Sequence, residues 1–208
     1  MPRPRRDSNI PPARERMESA FWGLLADREY RRITVTDIVH RAKVNRNSFY
    51  YHFSGLPELA DAAILNEVRT SPLIQEAPDP TVDPQEQWRK RITHFMNSPR
   101  EQQRLDRLAL LAGPHSSPEL VESLHDFARM SLIQTLDLDA DRLDLKTDLL
   151  LDFTAGGLLT ILKRWPELRK TVSMDDLLNE DVAVLAMGMY LSMSKENMLS
   201  YWNRIYNK

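Results

Sequence analysis

The chain of 208 residues contains no cysteine, only six glycines and no long apolar run. The absence of cysteine excludes a disulfide framework, a thiolate metal site and a thiol nucleophile. No segment approaches the roughly 20 apolar residues that a membrane span needs, and no apolar signal-type segment follows the basic N-terminus. The hydrophobic content of 42% and the charged content of 28% are ordinary for a globular protein. We therefore expect a soluble, cytoplasmic protein.

Charge is spread unevenly along the chain, although the net charge is only −2. Residues 1–60 hold 11 Lys and Arg against 7 Asp and Glu, whereas the remainder carries more acidic than basic residues. Residues 1–12 hold four prolines and three arginines, and they are interpreted either as a disordered tail or as a basic arm that contacts a polyanion. A basic end on an acidic body indicates a polyanionic partner for that end.

Helical periodicity is present along most of the sequence, and no strand pattern is visible. An apolar stripe predicts a first helix over residues 13–27. Residues 34–53 predict two short helices joined by a tight turn, and a fourth helix should run from Leu56 to about Thr70. Residues 71–84 hold four prolines and predict a helix-breaking linker.

Every periodic segment after this linker is also helical. The predicted helices cover residues 84–97, 98–113, 117–136, 141–165 and a last segment from residue 173 onward. Pro166 should limit the far end of the fourth of these helices. The last two are apolar on more than one face, which favours a symmetric dimer, although a central place in a larger bundle is the other interpretation. The predicted fold class is all-α, with about nine helices.

The stretch from Thr34 to Phe53 carries the strongest local signals. Thr34 can cap the first helix, with Asp37 reaching back to the Thr34 amide as in a capping box. Asn45 is a good cap for the second helix, whose Phe49 and Phe53 form a buried side. The other faces of that helix carry polar and aromatic side chains, namely Arg46, Asn47, Ser48, Tyr50, Tyr51 and His52. A short helix with this surface fits a DNA major groove.

These residues resemble the N-terminal motif of the TetR family of bacterial transcriptional regulators. The similar positions are Thr34-Val35-x-Asp37-Ile38-Val39, Ala42-x-Val44, Ser48-Phe49-Tyr50-Tyr51-His52-Phe53 and Glu58-Leu59. The resemblance implies a three-helix helix-turn-helix DNA-binding headpiece followed by a helical ligand-binding and dimerisation domain. The predicted division is a mobile basic arm over 1–12, the DNA-binding domain over 13–55, and the effector-binding and dimerisation domain over 56–208.

The resemblance also implies which residues contact DNA. Phosphate contacts are implied for Thr34 and Thr36, and packing on the sugar-phosphate backbone of the DNA is implied for Tyr51. Base or phosphate contacts are implied for Arg46, Asn47, Ser48, Tyr50 and His52. Lys43 and Asn45, just before the second helix, complete the predicted DNA-binding set. The chain departs from the family at Lys43, where the turn usually has glycine, and at Leu56, where a basic residue is usual. A left-handed Lys43 would cost roughly 1–2 kcal/mol, which a phosphate contact of its side chain could offset.

The body of the chain offers weaker predictions. An effector pocket would be lined by Trp88, Phe95, Met96, Leu108, Leu111, Phe127, Met130 and Phe153, although the same residues would also form an ordinary core. A dimer interface would use Phe153, Gly156, Gly157, Leu158, Ile161, Leu185, Met189 and Met193, and the glycine pair indicates a close backbone approach. The five histidines show no metal-ligand spacing, and no catalytic constellation is visible. We therefore expect no enzyme activity, no cofactor and no metal.

Two functions remain open from the sequence. The first is a homodimeric transcriptional repressor that binds a palindromic operator in double-stranded DNA and is released by a small-molecule effector of unknown identity. The alternative is a helical interaction protein whose degenerate helix-turn-helix recruits a protein partner, which the departures at Lys43 and Leu56 would allow.

Overall fold

The computed structural model describes residues 11–69 and 97–171, with isolated positions at 86, 89, 90, 93, 94, 173 and 176. Within these residues the chain forms seven bounded α-helices and two short 3-10 turns, and it contains no strand. The prediction of an all-α fold is therefore confirmed. The predicted linker lies outside the described residues, as does the predicted last helix apart from positions 173 and 176.

The first four helices follow the predicted bounds closely. They are α1 (Ala13–Asp27), α2 (Val35–Ala42), α3 (Arg46–His52) and α4 (Leu56–Arg69), with a 3-10 turn (Tyr30–Arg32) between α1 and α2. The remaining bounded helices are α5 (Pro99–Leu111), α6 (Pro118–Thr135) and α7 (Leu145–Thr171), with a 3-10 turn (Ala140–Arg142) before α7. Ser98 caps α5, since its Oγ accepts from the Glu101 amide at 3.4 Å.

The start and the end of α7 differ from the sequence prediction. The helix begins at Leu145 instead of residue 141, because the 3-10 turn precedes it and Asp144 Oδ1 accepts from the Thr147 amide at 2.7 Å. Pro166 does not end the helix, which continues through it to Thr171. Asp106 explains this continuity, because it accepts from Trp165 Nε1 at 2.9 Å and from Arg169 Nη1 at 2.6 Å. The chain is thus anchored to α5 on both sides of the proline.

One hydrophobic core joins the first four helices to the body. Phe21, Phe49 and Ile64 are fully buried in it. Leu111 of α5 and Leu124 of α6 belong to the same cluster. The apolar core continues without a break from α1 through α6. The predicted domain division after residue 55 therefore stays a prediction.

A buried ionic cluster fastens α4 to α5, and we call it the α4–α5 ionic cluster. It consists of Glu67, Glu101, Arg104 and Arg107. Arg104, only 4% exposed, pairs with Glu101 and lies 3.5 Å from Glu67 through Nε. Arg107 Nη1 donates to Glu67 Oε1 at 2.5 Å. Two arginines and two carboxylates therefore balance each other's charge where α4 meets the body.

Among the described residues, none of the helices combines the length and the apolar character needed to cross a membrane.

Candidate nucleic-acid interface

The start of α2 has the predicted capping box. Thr34 Oγ1 accepts from the Asp37 amide at 3.2 Å, and Asp37 Oδ2 accepts from the Thr34 amide at 2.9 Å. Asp37 also accepts from the Thr34 hydroxyl at 2.6 Å. Hydrogen bonds from the Thr34 side chain, and then from its amide, lower the pKa of Asp37. The carboxylate therefore stays ionised and holds the first turn of α2 in place.

The turn between α2 and α3 is closed around a left-handed Lys43, with φ 52° and ψ 48°. The Val44 amide donates to the Val39 carbonyl at 3.0 Å, which is a helix C-terminal motif that usually employs glycine. Arg16 of α1 reaches this turn, and its Nη1 donates to the carbonyls of Ala42 at 2.9 Å and Lys43 at 3.1 Å. A cation at the negative end of α2 stabilises the turn despite the missing glycine.

Helix α3 is held by a cap and by aromatic side chains. Asn45 Oδ1 accepts from the Ser48 amide at 2.6 Å, as predicted. Phe49 is fully buried and Phe53 is 2% exposed, with their ring centroids 5.8 Å apart. Burial of Phe49 and Phe53 holds one side of the seven-residue helix against the core, so the opposite side faces solvent.

The outward side of α3 carries most of the predicted DNA contacts. Exposed positions are Thr34, Thr36, Lys43, Asn45, Arg46, Asn47, Tyr50 and Tyr51, and half-buried ones are Ser48 and His52. Tyr51 is 84% exposed, so most of its ring is accessible to a partner surface. Thr34 and Asn45 are also helix caps, so their side-chain oxygens already accept hydrogen bonds from backbone amides.

Helices α1 and α2 are tied together by ion pairs that the sequence did not reveal. Arg41 Nη1 bonds Asp27 Oδ2 at 2.6 Å, and its guanidinium lies against Gly23, where an added Cβ would come within 2.6 Å of it. The hydrogen bond from Arg41 lowers the pKa of Asp27. Arg28 lies 3.5 Å from Asp37 in a second link. Sequence alone could not pair these residues, because many exposed arginines and carboxylates were equally available.

The start of α4 shows what replaces the basic residue expected at Leu56. Leu56 is partly buried and packs against the main core. The start of α4 is held instead by Glu58. Its Oε2 accepts from the Ser54 amide at 2.7 Å and from the Ser54 hydroxyl at 2.6 Å. Hydrogen bonds from Ser54 lower the pKa of Glu58. The Ser-x-x-x-Glu spacing in the sequence was a signal for this contact that the sequence analysis missed.

The residues predicted to line an effector pocket are not all brought together. Leu108 and Leu111 are buried in the main core, whereas Phe153 is 68% exposed on α7. Phe127 and Met130 share a small cavity of about 180 Å³ between α4 and α6, lined also by Leu65, Arg69, Ser131 and Gln134. Trp88, Phe95 and Met96 lie outside the described residues. A wider cleft of about 1640 Å³ beside α1 and α5 is lined by a mixture of charged and uncharged side chains.

The described residues of the predicted dimer interface lie on the outer side of α7. Phe153 is 68% and Ile161 51% exposed, and Leu158 is half-buried. Apart from the chain neighbours and the helix's own nearby backbone, nothing lies within 4 Å of a Cβ built on Gly156 or Gly157, so the expected close backbone is not supplied by the described part of this chain. Leu185, Met189 and Met193 lie outside the described residues.

Residues 20–63 match the family model described as bacterial regulatory proteins, tetR family. This match covers α2, α3 and the turn between them, together with about half of α1 and half of α4. The chain carries a TetR-family helix-turn-helix domain. The predicted resemblance to this family and to its helix-turn-helix is thereby confirmed over residues 20–63. No curated protein sequence matches the chain.

Two solved structures are similar to the chain over most of its length. A TetR transcriptional regulator from Rhodococcus sp. RHA1 is 15% identical, with a TM-score of 0.48, covering 86% of this chain and 97% of that one. The TetR family repressor AlkX from Dietzia sp. strain DQ12-45-1b, implicated in biodegradation of n-alkanes, is 18% identical, with a TM-score of 0.45. That likeness covers 89% of this chain and 99% of AlkX. Neither likeness is close enough to bear on what this chain binds.

The left-handed Lys43 gives a prediction about the turn between α2 and α3. Lys43→Gly should raise the free energy of unfolding by about 0.5–1 kcal/mol, because relief of the Cβ clash outweighs the larger entropy of glycine in the unfolded chain. Urea unfolding followed by circular dichroism would measure the change. Lys43→Ala is the matched control, since it removes the charge but keeps the Cβ, and it should not stabilise the protein. A stability gain for alanine equal to that for glycine would show that the turn is not strained.

Proposed function

We propose that this TetR-family protein is a homodimeric transcriptional repressor that binds a palindromic operator and is released by a small-molecule effector. The observation that carries the proposal is the geometry of α3. Its aromatic side is buried in the core, and its opposite side presents Arg46, Asn47 and two tyrosines to solvent. Polar and aromatic side chains on an anchored helix are suited to the base edges and phosphates of a major groove.

The start of α2 supports a phosphate-facing role beside α3. Thr34 and Thr36 are exposed at its N-terminal end, where the helix dipole favours an anion. Lys43 is exposed at the opposite end of α2, next to the start of α3. In this proposal residues 13–55 bind the operator, residues 56–208 form the effector and dimer domain, and the basic arm over 1–12 adds phosphate contacts.

A second apolar face on α7 supports the dimer. Leu151, Ala155 and Leu162 are buried on one side of the helix. Phe153 lies about 200° around the helix from Leu151, on the side away from the core, and Leu149 next to it is 59% exposed. Exposed apolar side chains of this size on one face favour burial against a second subunit. The open space over Gly156 and Gly157 would let that subunit come close.

The effector part of the proposal rests on the contact of α4 with α6. Phe127 and Met130 of α6 border the 180 Å³ cavity together with Leu65 of α4. Helix α4 also packs on α1 through the main core. A ligand that widened this cavity would displace α4, and the displacement would reach the headpiece because the core is continuous.

The recognition helix gives the direct test of DNA binding. A gel shift should use DNA flanking the protein's own gene, and Arg46→Ala should weaken binding by about 1–3 kcal/mol while relaxing one base position. Arg142→Ala is the matched control, because Arg142 is 86% exposed in the body and should leave binding unchanged. An unchanged isotherm and base preference for Arg46→Ala would contradict the assignment of α3.

The same assay separates the two functions left open by the sequence. Loss of the shift on addition of a small molecule would identify an effector. Absence of any shift by the unmodified protein at low salt would favour a helical interaction protein instead of an operator-binding repressor.

A further inference from the structure

Arg46 and Tyr50 are in direct contact on the exposed side of α3. Arg46 Nη2 donates to the Tyr50 hydroxyl at 3.3 Å, and the guanidinium carbon lies over the Tyr50 ring, 5.7 Å from its centroid. Tyr50 in turn meets the buried Phe49 edge-on, with centroids 5.4 Å apart and ring planes at 86°. The arginine therefore rests on a ring that is itself held by the hydrophobic core.

We propose that Tyr50 is a positioning residue for Arg46, and that the pair reads a guanine in each operator half-site. This inference rests on the proposed DNA-binding function and adds to it the identity of one base and the source of its recognition. The two residues are one helical turn apart, so the contact is built into α3 and is present before DNA arrives.

The contact lowers the entropic cost of reading a base. A free arginine side chain populates many rotamers, and ordering them on docking weakens binding. Tyr50 restricts Arg46 in advance and uses only one of its N–H groups at the tyrosine hydroxyl. The other donors remain available for the paired bonds to guanine O6 and N7.

The same contact favours a base over a phosphate as the target of Arg46. A phosphate accepts an arginine from several directions, through one bond or two, so a mobile side chain can bind it. A paired contact with guanine needs the guanidinium plane held in one orientation, because both N–H bonds must point along the base edge. A hydrogen bond together with a ring contact fixes such an orientation, and a freely rotating arginine does not.

The test compares binding to the operator with binding to versions in which each base pair is exchanged in turn. Tyr50→Leu should lose about tenfold in affinity for the guanine-containing operator, and at most about twofold once that guanine is replaced. Tyr50→Phe keeps the ring but not the hydroxyl, and it should lose about threefold on the guanine operator only. The double variant Arg46→Ala with Tyr50→Leu should bind no more weakly than Arg46→Ala alone.

Tyr51 supplies the matched control on the same helix. It is 84% exposed and packs edge-on against His52 at 5.0 Å, away from the Arg46 contact. Tyr51→Leu should therefore weaken binding equally for all operator versions. Equal losses for Tyr50→Leu on every version, or losses that add to those of Arg46→Ala, would overturn the positioning role while leaving DNA binding intact. Absence of binding by the unmodified protein would overturn the proposed function as well.

Discussion

Arg104→Met should lower the free energy of unfolding by about 3–5 kcal/mol, because it removes one partner from a buried set of charges. Arg104 is 4% exposed and sits between Glu67 and Glu101, which are 7% and 4% exposed. Without Arg104, the Glu101 carboxylate must remain buried without its cation or take up a proton. Either outcome destabilises the contact between α4 and α5. Urea unfolding followed by circular dichroism measures the loss.

Two control variants separate burial from charge. Arg107→Met should cost only about 1 kcal/mol, because Arg107 is 30% exposed and Glu67 keeps Arg104 beside it. The double variant Glu101→Leu with Arg104→Met should lose less than Arg104→Met alone, since an apolar pair replaces the ion pair. A loss below about 1 kcal/mol for Arg104→Met would show that water reaches the cluster and screens it.

Phe153→Asp should convert the proposed dimer into a monomer and weaken operator binding with it. The side chain is 68% exposed in the single chain, so an aspartate there should leave the fold of each subunit intact. In a dimer interface the same carboxylate would be buried without a partner, and self-association should weaken by at least about a hundredfold. Light scattering at micromolar concentration would then report a mass near 24.2 kDa instead of twice that value.

The conservative exchange at the same position is the control. Phe153→Leu keeps an apolar side chain and should remain dimeric with nearly unchanged operator affinity. Circular dichroism spectra of both variants should match that of the original protein. A dimer mass for Phe153→Asp, or a monomer mass for the unmodified chain, would show that the second apolar face of α7 does not mediate dimerisation.

Local signals made the helix-turn-helix predictable. The capping box of Thr34 and Asp37 and the cap Asn45 join residues within one turn, so their spacing in the sequence determines their geometry. The burial of Phe49 and Phe53 follows from their four-residue spacing for the same reason.

Other features depended on residues far apart in the chain. Glu101 lies at the start of α5, where its amide bonds Ser98, but its side chain pairs with Arg104 in the α4–α5 ionic cluster. The predicted effector lining is spread over the main core, a small cavity and the outside of α7, because an apolar stripe does not specify which neighbour covers it.

The sequence by itself determined the helical class, most helix starts and the outward side of α3, since each depends on contacts within a few residues. Only the tertiary structure decided that Arg16 supports the left-handed Lys43 and that α7 continues through Pro166. The physical reason is the same in both cases. Arg16 reaches a turn 26 residues away, and Asp106 holds α7 from 59 and 63 residues away. Which residues form these bonds depends on the fold that brings them together, because many other arginines and carboxylates in the sequence could have formed the same bonds.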